Sequence, residues 1–347
     1  MTQFAGWEMP LFYDRILSEH RSVRASAGLF DLGHMGRIEV TGADRAAFLD
    51  RLSTNRLTDL APGRARYTVF AADDGGTLDD LVVSAEADRM WVVPNAGNRP
   101  KIVAWLDEHA GAFDVVVRDR TGETGILALQ GPKAQTMLET LGVTALDALG
   151  YFRLRTETLL GETVLLSRTG YTGEDGFEIL AASGVLASLW TGLLDACGPL
   201  GLVPAGLGAR DTLRVEAGLC LYGHELTETL TAIEAGLGRF VKFKGRAFVG
   251  KAALRRAAND ESEDARRRVG LELDSRRIAR HAHSILADGR RVGRITSGTF
   301  APTLEKSVAM GYVPGKLAAP GTTLVVRVSH EDVPATVVPL PFYSRRT

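Results

Sequence analysis

Runs in which every second residue is apolar alternate along this chain with stretches whose apolar residues recur at every third or fourth position, the patterns of half-buried strands and of helices with one buried face. The sharpest strand pattern is DDGGTLDDLVVS, residues 73–84. Asp73-Asp74-Gly75-Gly76 has the chemistry of a hairpin turn, because glycine reaches positive φ without steric cost and aspartate tolerates it. In the strand that follows, Asp80 shares a face with Leu78 and Val82, and Asp79 shares the other with Leu81 and Val83. One of the two carboxylates therefore stands among apolar side chains, where desolvation raises its pKa and suits it to moving protons. Alternation leaves open which one.

Short elements continue on both sides. FAGWEMPLFY (4–13), aromatic-rich and broken by Gly6 and Pro10, predicts an extended segment, and residues 17–28 a short helix. Gly33-His34-Met35-Gly36 reads as a turn into a strand ending at Val40, and Thr41 to Asp44 as a capping-box-like start of a helix with Ala47, Phe48, Leu49 and Leu52 on its apolar face. Strands are predicted at 67–72 and 90–94. Asn98 is expected to cap a helix with Pro100 in its first turn, burying Ile102, Val103, Trp105 and Leu106. The order repeats with a strand at 124–129, a helix opened by Gly131-Pro132, and strands near 151–157 and 162–168. Residues 183–196 form the clearest amphipathic helix, and a helix over 208–217 carries Arg210 and Arg214 one turn apart. Hairpins interleaved with helices predict α+β domains and not a doubly wound parallel sheet. The polar run NDESEDARRR (259–268) marks a linker between a first region, 1–258, and a last one, 269–347. In the last region, strands at 269–273, 284–295, 308–313, 322–329 and 335–340 predict a small all-β domain.

Composition narrows the function. At 347 residues the chain exceeds what one hydrophobic core usually serves. A net charge of −1, with arginines scattered along the chain, supplies no basic field for nucleic acid. Cys197 and Cys220 lack the spacing of a disulfide framework or a zinc site, so a reducing, cytoplasmic location is expected. The start has no basic segment followed by an apolar run, and no apolar stretch is long enough to span a bilayer, so neither secretion nor a membrane partner is expected.

Several motifs fail on inspection. GRAFVGKA (245–252) nearly matches a phosphate-binding loop, but Ala252 stands where a magnesium-binding hydroxyl belongs, and a plain helix start is the better reading. Gly206-Leu-Gly208 lacks the third glycine of a dinucleotide fingerprint, His224-Glu225 lacks the second histidine of a zinc protease, and no GxSxG elbow occurs. RTGYTGEDGFEI (168–179) is positive: two glycine-bearing turns place Tyr171, Glu174, Asp175 and Glu178 where an aromatic donor and several acceptors can meet a polar heterocycle. Arg210, beside Asp211, is a candidate anion clamp whose bland alternative is an internal ion pair.

Taken in order, FAGWEMP, FDLGHMG, GGTLDDLVVS, VVPNAG, LALQGP, SRTGYTGEDGFEI, GARDTLRVEAGLCLYGHEL and ITSGTFAPTLEKSVAMGYVP resemble the tetrahydrofolate-dependent aminomethyltransferases of the glycine cleavage system, the T-proteins. The resemblance spans nearly the whole chain. It implies a three-domain cloverleaf around a central cavity that holds folate. The region 1–258 then forms two interleaved α+β subdomains, and the last domain is a small β-barrel. It makes Asp80 the catalytic carboxylate and Asp79 its structural neighbour. By the same resemblance Met35, Tyr67 and Asn95 line the pocket, Tyr171 stands near the pterin, Glu178 and Arg210 hold the cofactor's polar groups, and Arg280 faces the cavity or the carrier protein.

The implied reaction takes an aminomethyl group from the dihydrolipoyl arm of the lipoylated H-protein, releases ammonia and forms 5,10-methylenetetrahydrofolate, with tetrahydrofolate as co-substrate and no metal. Relatives of this fold that demethylate small molecules with tetrahydrofolate, or that bind folate as accessory proteins, are the alternatives; AGLCLYGHEL and the intact DDL favour aminomethyl transfer. This chain departs from the resemblance in two places. The family generally carries a further stretch ahead of FAGWEMP, so the chain is expected either to be truncated, to start at a later codon than it should, or to lack an edge element of the first domain, and Gly33 replaces a serine before the His-Met pair.

Overall fold

The computed structural model describes residues 1–345. The chain divides into two compact units, one joining Met1–Phe70 to Leu78–Arg210, the other joining Ala71–Thr77 to the chain from Asp211 onward.

The first unit is built on two large sheets, with a two-stranded one formed by Thr2–Phe4 and Trp7–Met9. One has five strands in the order Arg64–Ala71, Thr77–Ala85, Arg89–Val93, Ile38–Thr41 and Val116–Asp119. The other has six, in the order Leu154–Leu159, Glu162–Ser167, Gly176–Ala182, Thr124–Gln130, Ala27–Asp31 and Leu202–Pro204. Its neighbouring strands pair antiparallel, except that Leu202–Pro204 runs parallel to Ala27–Asp31. Helix Leu186–Cys197 lays Leu189, Leu193 and Cys197 on this second sheet, where they join Leu129, Leu166, Phe177 and Ile179 in one apolar cluster, as its amphipathic spacing predicts.

Two helix starts differ from expectation for a common reason. Asp44 makes no side-chain cap to helix Arg45–Leu52; its carboxylate instead accepts the backbone N–H of Asp114 at 2.9 Å. Asn98 makes no cap to helix Arg99–Ala110, although Pro100 lies in the first turn as predicted, because its amide is drawn to a carboxylate described below. Capping residues are short polar side chains, and a stronger acceptor or donor within reach displaces the cap. On the Arg45–Leu52 helix Phe48, Leu49 and Leu52 are buried, but Ala47 is exposed.

In the second unit six strands close into a barrel, in the order Arg266–Leu273, Lys306–Pro314, Arg290–Ala301, Ser284–Ala287, Thr323–Val328 and Glu331–Val338. Val269, Leu271, Ile285, Ile295, Val326 and Val337 fill its interior. Closure pairs every edge, which removes the unpaired backbone groups an open sheet would expose. The stretch read as one strand over 284–295 is two, turned at Asp288-Gly289 with φ of 49° and 72°; Asp-Gly in this conformation is the signal of a two-residue hairpin turn. The α+β class with a C-terminal barrel is therefore the fold observed. The phosphate-loop lookalike is a helix start: Gly250, φ 77°, precedes helix Lys251–Ala258. Among the described residues no helix is long and apolar enough to cross a membrane.

Candidate active site

The residues singled out in the sequence, Met35, Tyr67, Asp80, Asn95, Tyr171, Glu178 and Arg210, all lie in the first unit and all are half-buried. That is the exposure a binding surface needs, with side chains held by the protein yet open on one side.

The Thr77–Ala85 strand decides between the two aspartates. Its burial alternates residue by residue, with Asp79, Leu81 and Val83 fully enclosed and Asp80 on the half-buried face with Leu78 and Val82. The carboxyl among apolar side chains is thus Asp79, and Asp80 faces the open side. Antiparallel pairing of Val82 with Val93 continues past the strand end to bring Asn95 beside Asp80. There the Asn95 side-chain nitrogen stands 2.7 Å from Asp79 Oδ1, 2.9 Å from Asp80 Oδ1 and 2.9 Å from the Asp80 backbone oxygen. Asn95 also donates its backbone N–H to Asp79 Oδ2 at 2.9 Å, and Asn98 donates its amide to Asp79 Oδ1 at 2.7 Å. The Tyr67 hydroxyl, from the neighbouring strand, donates to Asp80 Oδ2 at 2.9 Å. Burial, and next the charge of Asp80, push Asp79 up to about 7 against the opposing pull of the asparagine hydrogen bonds.

Met35 stands in a turn that is held from below. Arg37, 1% exposed, donates from its guanidinium to the carbonyls of Gly33 (2.9 Å), Met35, Thr121 and Thr124 (2.7 Å) and to the Thr124 hydroxyl (3.1 Å). Sequence reasoning missed this arginine, which in GRIEV looks like an ordinary strand residue. Gly36 lets the turn approach Pro94, the residue before Asn95: its N–H meets the Pro94 carbonyl at 3.1 Å, and a Cβ there would fall 2.6 Å from Pro94 Cγ. His34 is buried edge-on to Phe4, and burial, reinforced by the charges of Arg210 and Arg37, lowers it to about 3, so its imidazole stays neutral.

The RTGYTGEDGFEI loop sorts its acids into two kinds. Asp175 pairs bidentately with Arg168, at 3.0 Å and 2.5 Å, and Glu174 pairs with Arg24 at 2.9 Å in a nearly buried bridge. These two are structural, and Gln130 braces the same loop through the Thr169 carbonyl and the Thr172 hydroxyl. Tyr171 is left with its ring under the Arg210 guanidinium, whose carbon lies 4.6 Å from the ring centroid. Glu178, on the Gly176–Ala182 strand, accepts the Thr169 hydroxyl at 2.5 Å. Asp211 is taken by Arg214, at 2.8 Å, so the ion pair beside Arg210 forms with the other arginine of the helix. The geometry joins Tyr67, Asp80 and Asn95 directly, and Tyr171 with Arg210; Glu178 belongs to the hairpin that carries Tyr171. Arg280 lies in the second unit, exposed, with its N–H on His283 Nδ1 at 3.2 Å.

Residues 1–245 match the GCVT N-terminal domain family and residues 266–344 the glycine cleavage T-protein C-terminal barrel domain. The aminomethyltransferase of Streptomyces avermitilis is 46% identical over 352 aligned residues, covering 100% of this chain and 94% of that protein. That of Bacillus subtilis is 44% identical, covering 99% and 94%. The crystal structure of the glycine cleavage system aminomethyltransferase T from Bartonella henselae superposes with a TM-score of 0.92 at 35% identity, covering 99% of this chain and 94% of that one. With family models matched over residues 1–245 and 266–344 and full-length relatives at this identity, the chain belongs to the glycine cleavage T-protein family of aminomethyltransferases.

Proposed function

We propose that this aminomethyltransferase takes the aminomethyl group carried on the dihydrolipoyl arm of an H-protein, releases its nitrogen as ammonia and delivers the carbon to tetrahydrofolate, with Asp80 as the catalytic carboxylate. The observation that carries the reading is the Asp80 carboxylate itself, half-buried and held at one oxygen by Tyr67 and at the other by Asn95. A carboxylate fixed in this way is preorganised to stabilise positive charge that develops as ammonia departs, at no reorganisation cost during the reaction.

The donor set suits a reduced pterin. Its amide and amino groups call for a carboxylate such as Glu178, its ring for a flat aromatic neighbour such as Tyr171, and its carboxylate-bearing tail for a guanidinium such as Arg210. When bound, tetrahydrofolate supplies the nitrogens that accept the one-carbon unit. The chain's own residues then orient it: Tyr171 and Arg210 as one stacked unit, Met35 on the turn fixed by Arg37, and Asn95 beside the carboxylate. Cys197 and Cys220, both buried, lack the spacing of a disulfide framework, which supports a reducing, cytoplasmic setting.

The test is a coupled assay with purified protein, aminomethylated lipoyl H-protein and tetrahydrofolate, following ammonia and 5,10-methylenetetrahydrofolate together. Equal yields of both, lost in Asp80→Asn while tetrahydrofolate still binds, are expected. Near-normal turnover in that variant would remove Asp80 from the chemistry, and folate binding with neither product would move the function to a demethylase or an accessory role.

A further inference from the structure

We propose that Asp79 is a positioning residue for the reaction, acting on the Asp80 carboxylate through the side-chain amide of Asn95. The inference rests on the reading of Asp80 given above and deepens it. Position 79 points into the apolar interior of the sheet, where Leu81 and Val83 occupy the equivalent places. A carboxyl is a costly occupant there, since burial disfavours its charge and an apolar residue would pack without penalty. What a carboxyl offers and an apolar residue does not is two oxygens, and both are used. Oδ2 accepts the Asn95 backbone N–H at 2.9 Å, and Oδ1 accepts the amides of Asn95 and Asn98, each at 2.7 Å.

These bonds fix which way the Asn95 amide faces. Its two ends have nearly the same shape and opposite polarity, so an amide turned over would present its carbonyl to Asp79 Oδ1, Asp80 Oδ1 and the Asp80 backbone oxygen together. Asp79 grips Asn95 at both backbone and side chain, and so selects the face that donates to Asp80. Asn98 grips Asp79 in turn. The result is a chain of held groups, Asn98 to Asp79 to Asn95 to Asp80, ending at the half-buried face. Asp79 touches none of that face itself, being fully enclosed. Its effect on the reaction must therefore pass through the amide.

The experiment is a double-mutant cycle with Asp79→Asn, Asn95→Ala and the pair, assayed for kcat and for the KM of tetrahydrofolate and of aminomethylated H-protein. Asp79→Asn presents an amide N–H where an acceptor is required, and should lower kcat by about tenfold or more while both KM values stay within about threefold. The double variant should be no slower than Asn95→Ala alone, because a residue that acts only through Asn95 has nothing further to lose. Losses that multiply, or that fall on KM instead of kcat, overturn the proposal. Should Asp79→Asn fail to fold, Asn98→Ala removes one grip on Asp79 and none on Asp80, and its smaller loss should likewise vanish in the Asn95→Ala background; a loss that persists there overturns the proposal. A readout independent of turnover is the Asn95 side-chain amide in nitrogen-resolved NMR. Its two protons should be shifted from the ordinary range of an exposed amide and slow to exchange with solvent in the wild type, and should move toward that range and exchange faster in Asp79→Asn, or in Asn98→Ala if that variant stands in; an unchanged signal overturns the proposal. If the wild type transfers no aminomethyl group, the functional reading fails, and the amide signal still decides whether Asp79 orients Asn95.

Discussion

The Arg210 guanidinium lies over the ring of Tyr171 with its carbon 4.6 Å from the ring centroid, which joins a helix to the loop that precedes the Gly176–Ala182 strand. Such a contact holds the guanidinium plane against the ring. Lysine keeps the charge but has no plane to stack. Arg210→Lys should therefore raise the dissociation constant for tetrahydrofolate by about twofold or more, up to the roughly thirtyfold that a complete loss of the contact would give, with a smaller change in kcat. Equilibrium binding beside steady-state kinetics separates the two, and an unchanged dissociation constant would take Arg210 out of the binding site.

Tyr67 donates to the Asp80 oxygen that Asn95 does not reach, so the two partners act on different atoms of one carboxylate. Tyr67→Phe removes that bond and keeps the ring in its place in the strand. A hydrogen bond to a charged group contributes about 1.5–3 kcal/mol, so kcat should fall by roughly ten- to a hundredfold. Steady-state assays of the coupled reaction measure it; a variant within twofold of wild type would show that the hydroxyl does not hold the carboxylate during turnover.

How much of this site could be read in the sequence follows from what a pattern encodes. Alternation placed Asp79 and Asp80 on opposite faces of a strand and stopped there, because which face is enclosed depends on what packs against the sheet. The loop carrying Tyr171 and Glu178 was visible as glycine turns among polar residues, but the pairing of Glu174 with Arg24 and of Asp175 with Arg168 joins residues that the pattern treats alike. Arg37 and Asn98 were missed for a related reason. A buried guanidinium that serves carbonyls, and an asparagine that serves a carboxylate, look in sequence like a strand residue and a helix cap. The available signal was register: NAGN follows the strand that pairs with the one bearing the aspartates, so its asparagines had to fall beside them. In the barrel, the Asp288-Gly289 turn was legible and overlooked.

Asp79 also sets a pH dependence of stability. Burial raises it to about 7 in the folded chain, whereas an exposed aspartate titrates at about 3.9. Between those values the folded state keeps a proton that the unfolded state has released, so the aspartate's contribution declines as pH rises through that window. Asparagine has no proton to lose. The stability of Asp79→Asn relative to wild type should therefore improve from about pH 5 to about pH 8, whatever its absolute sign. Urea unfolding followed by tryptophan fluorescence reads the correct unit, since Trp7, Trp91, Trp105 and Trp190 all lie in the first. A difference that does not vary with pH would mean that the asparagine donors outweigh burial.

In the second unit the sign is reversed. Glu225 is fully buried, and burial, the largest single influence, would raise it, but the Arg214 guanidinium at 2.9 Å and hydrogen bonds from Thr296, Leu221 and Ser297 together outweigh it and hold the carboxyl below its usual range. A depressed pKa gives stability that is present above the unfolded value, about 4.3, and is lost as pH falls through the folded one. Glu225→Gln keeps the shape and removes the charge, leaving Arg214 buried and paired with the half-exposed Asp211 at 2.7 Å. Breaking a buried pair from one side costs about 3–5 kcal/mol, so the second unit should open more readily at neutral pH. Cys220, buried in that unit, reports the opening: its alkylation, read by mass spectrometry, should be faster by about a hundredfold or more in the variant if opening tracks stability. During acid titration followed by circular dichroism, the gap between variant and wild type should narrow as pH falls below the unfolded value, about 4.3, and close as the wild-type glutamate takes up its proton in the folded state as well. A gap that stays constant into acid would mean that the variant loses packing and not charge.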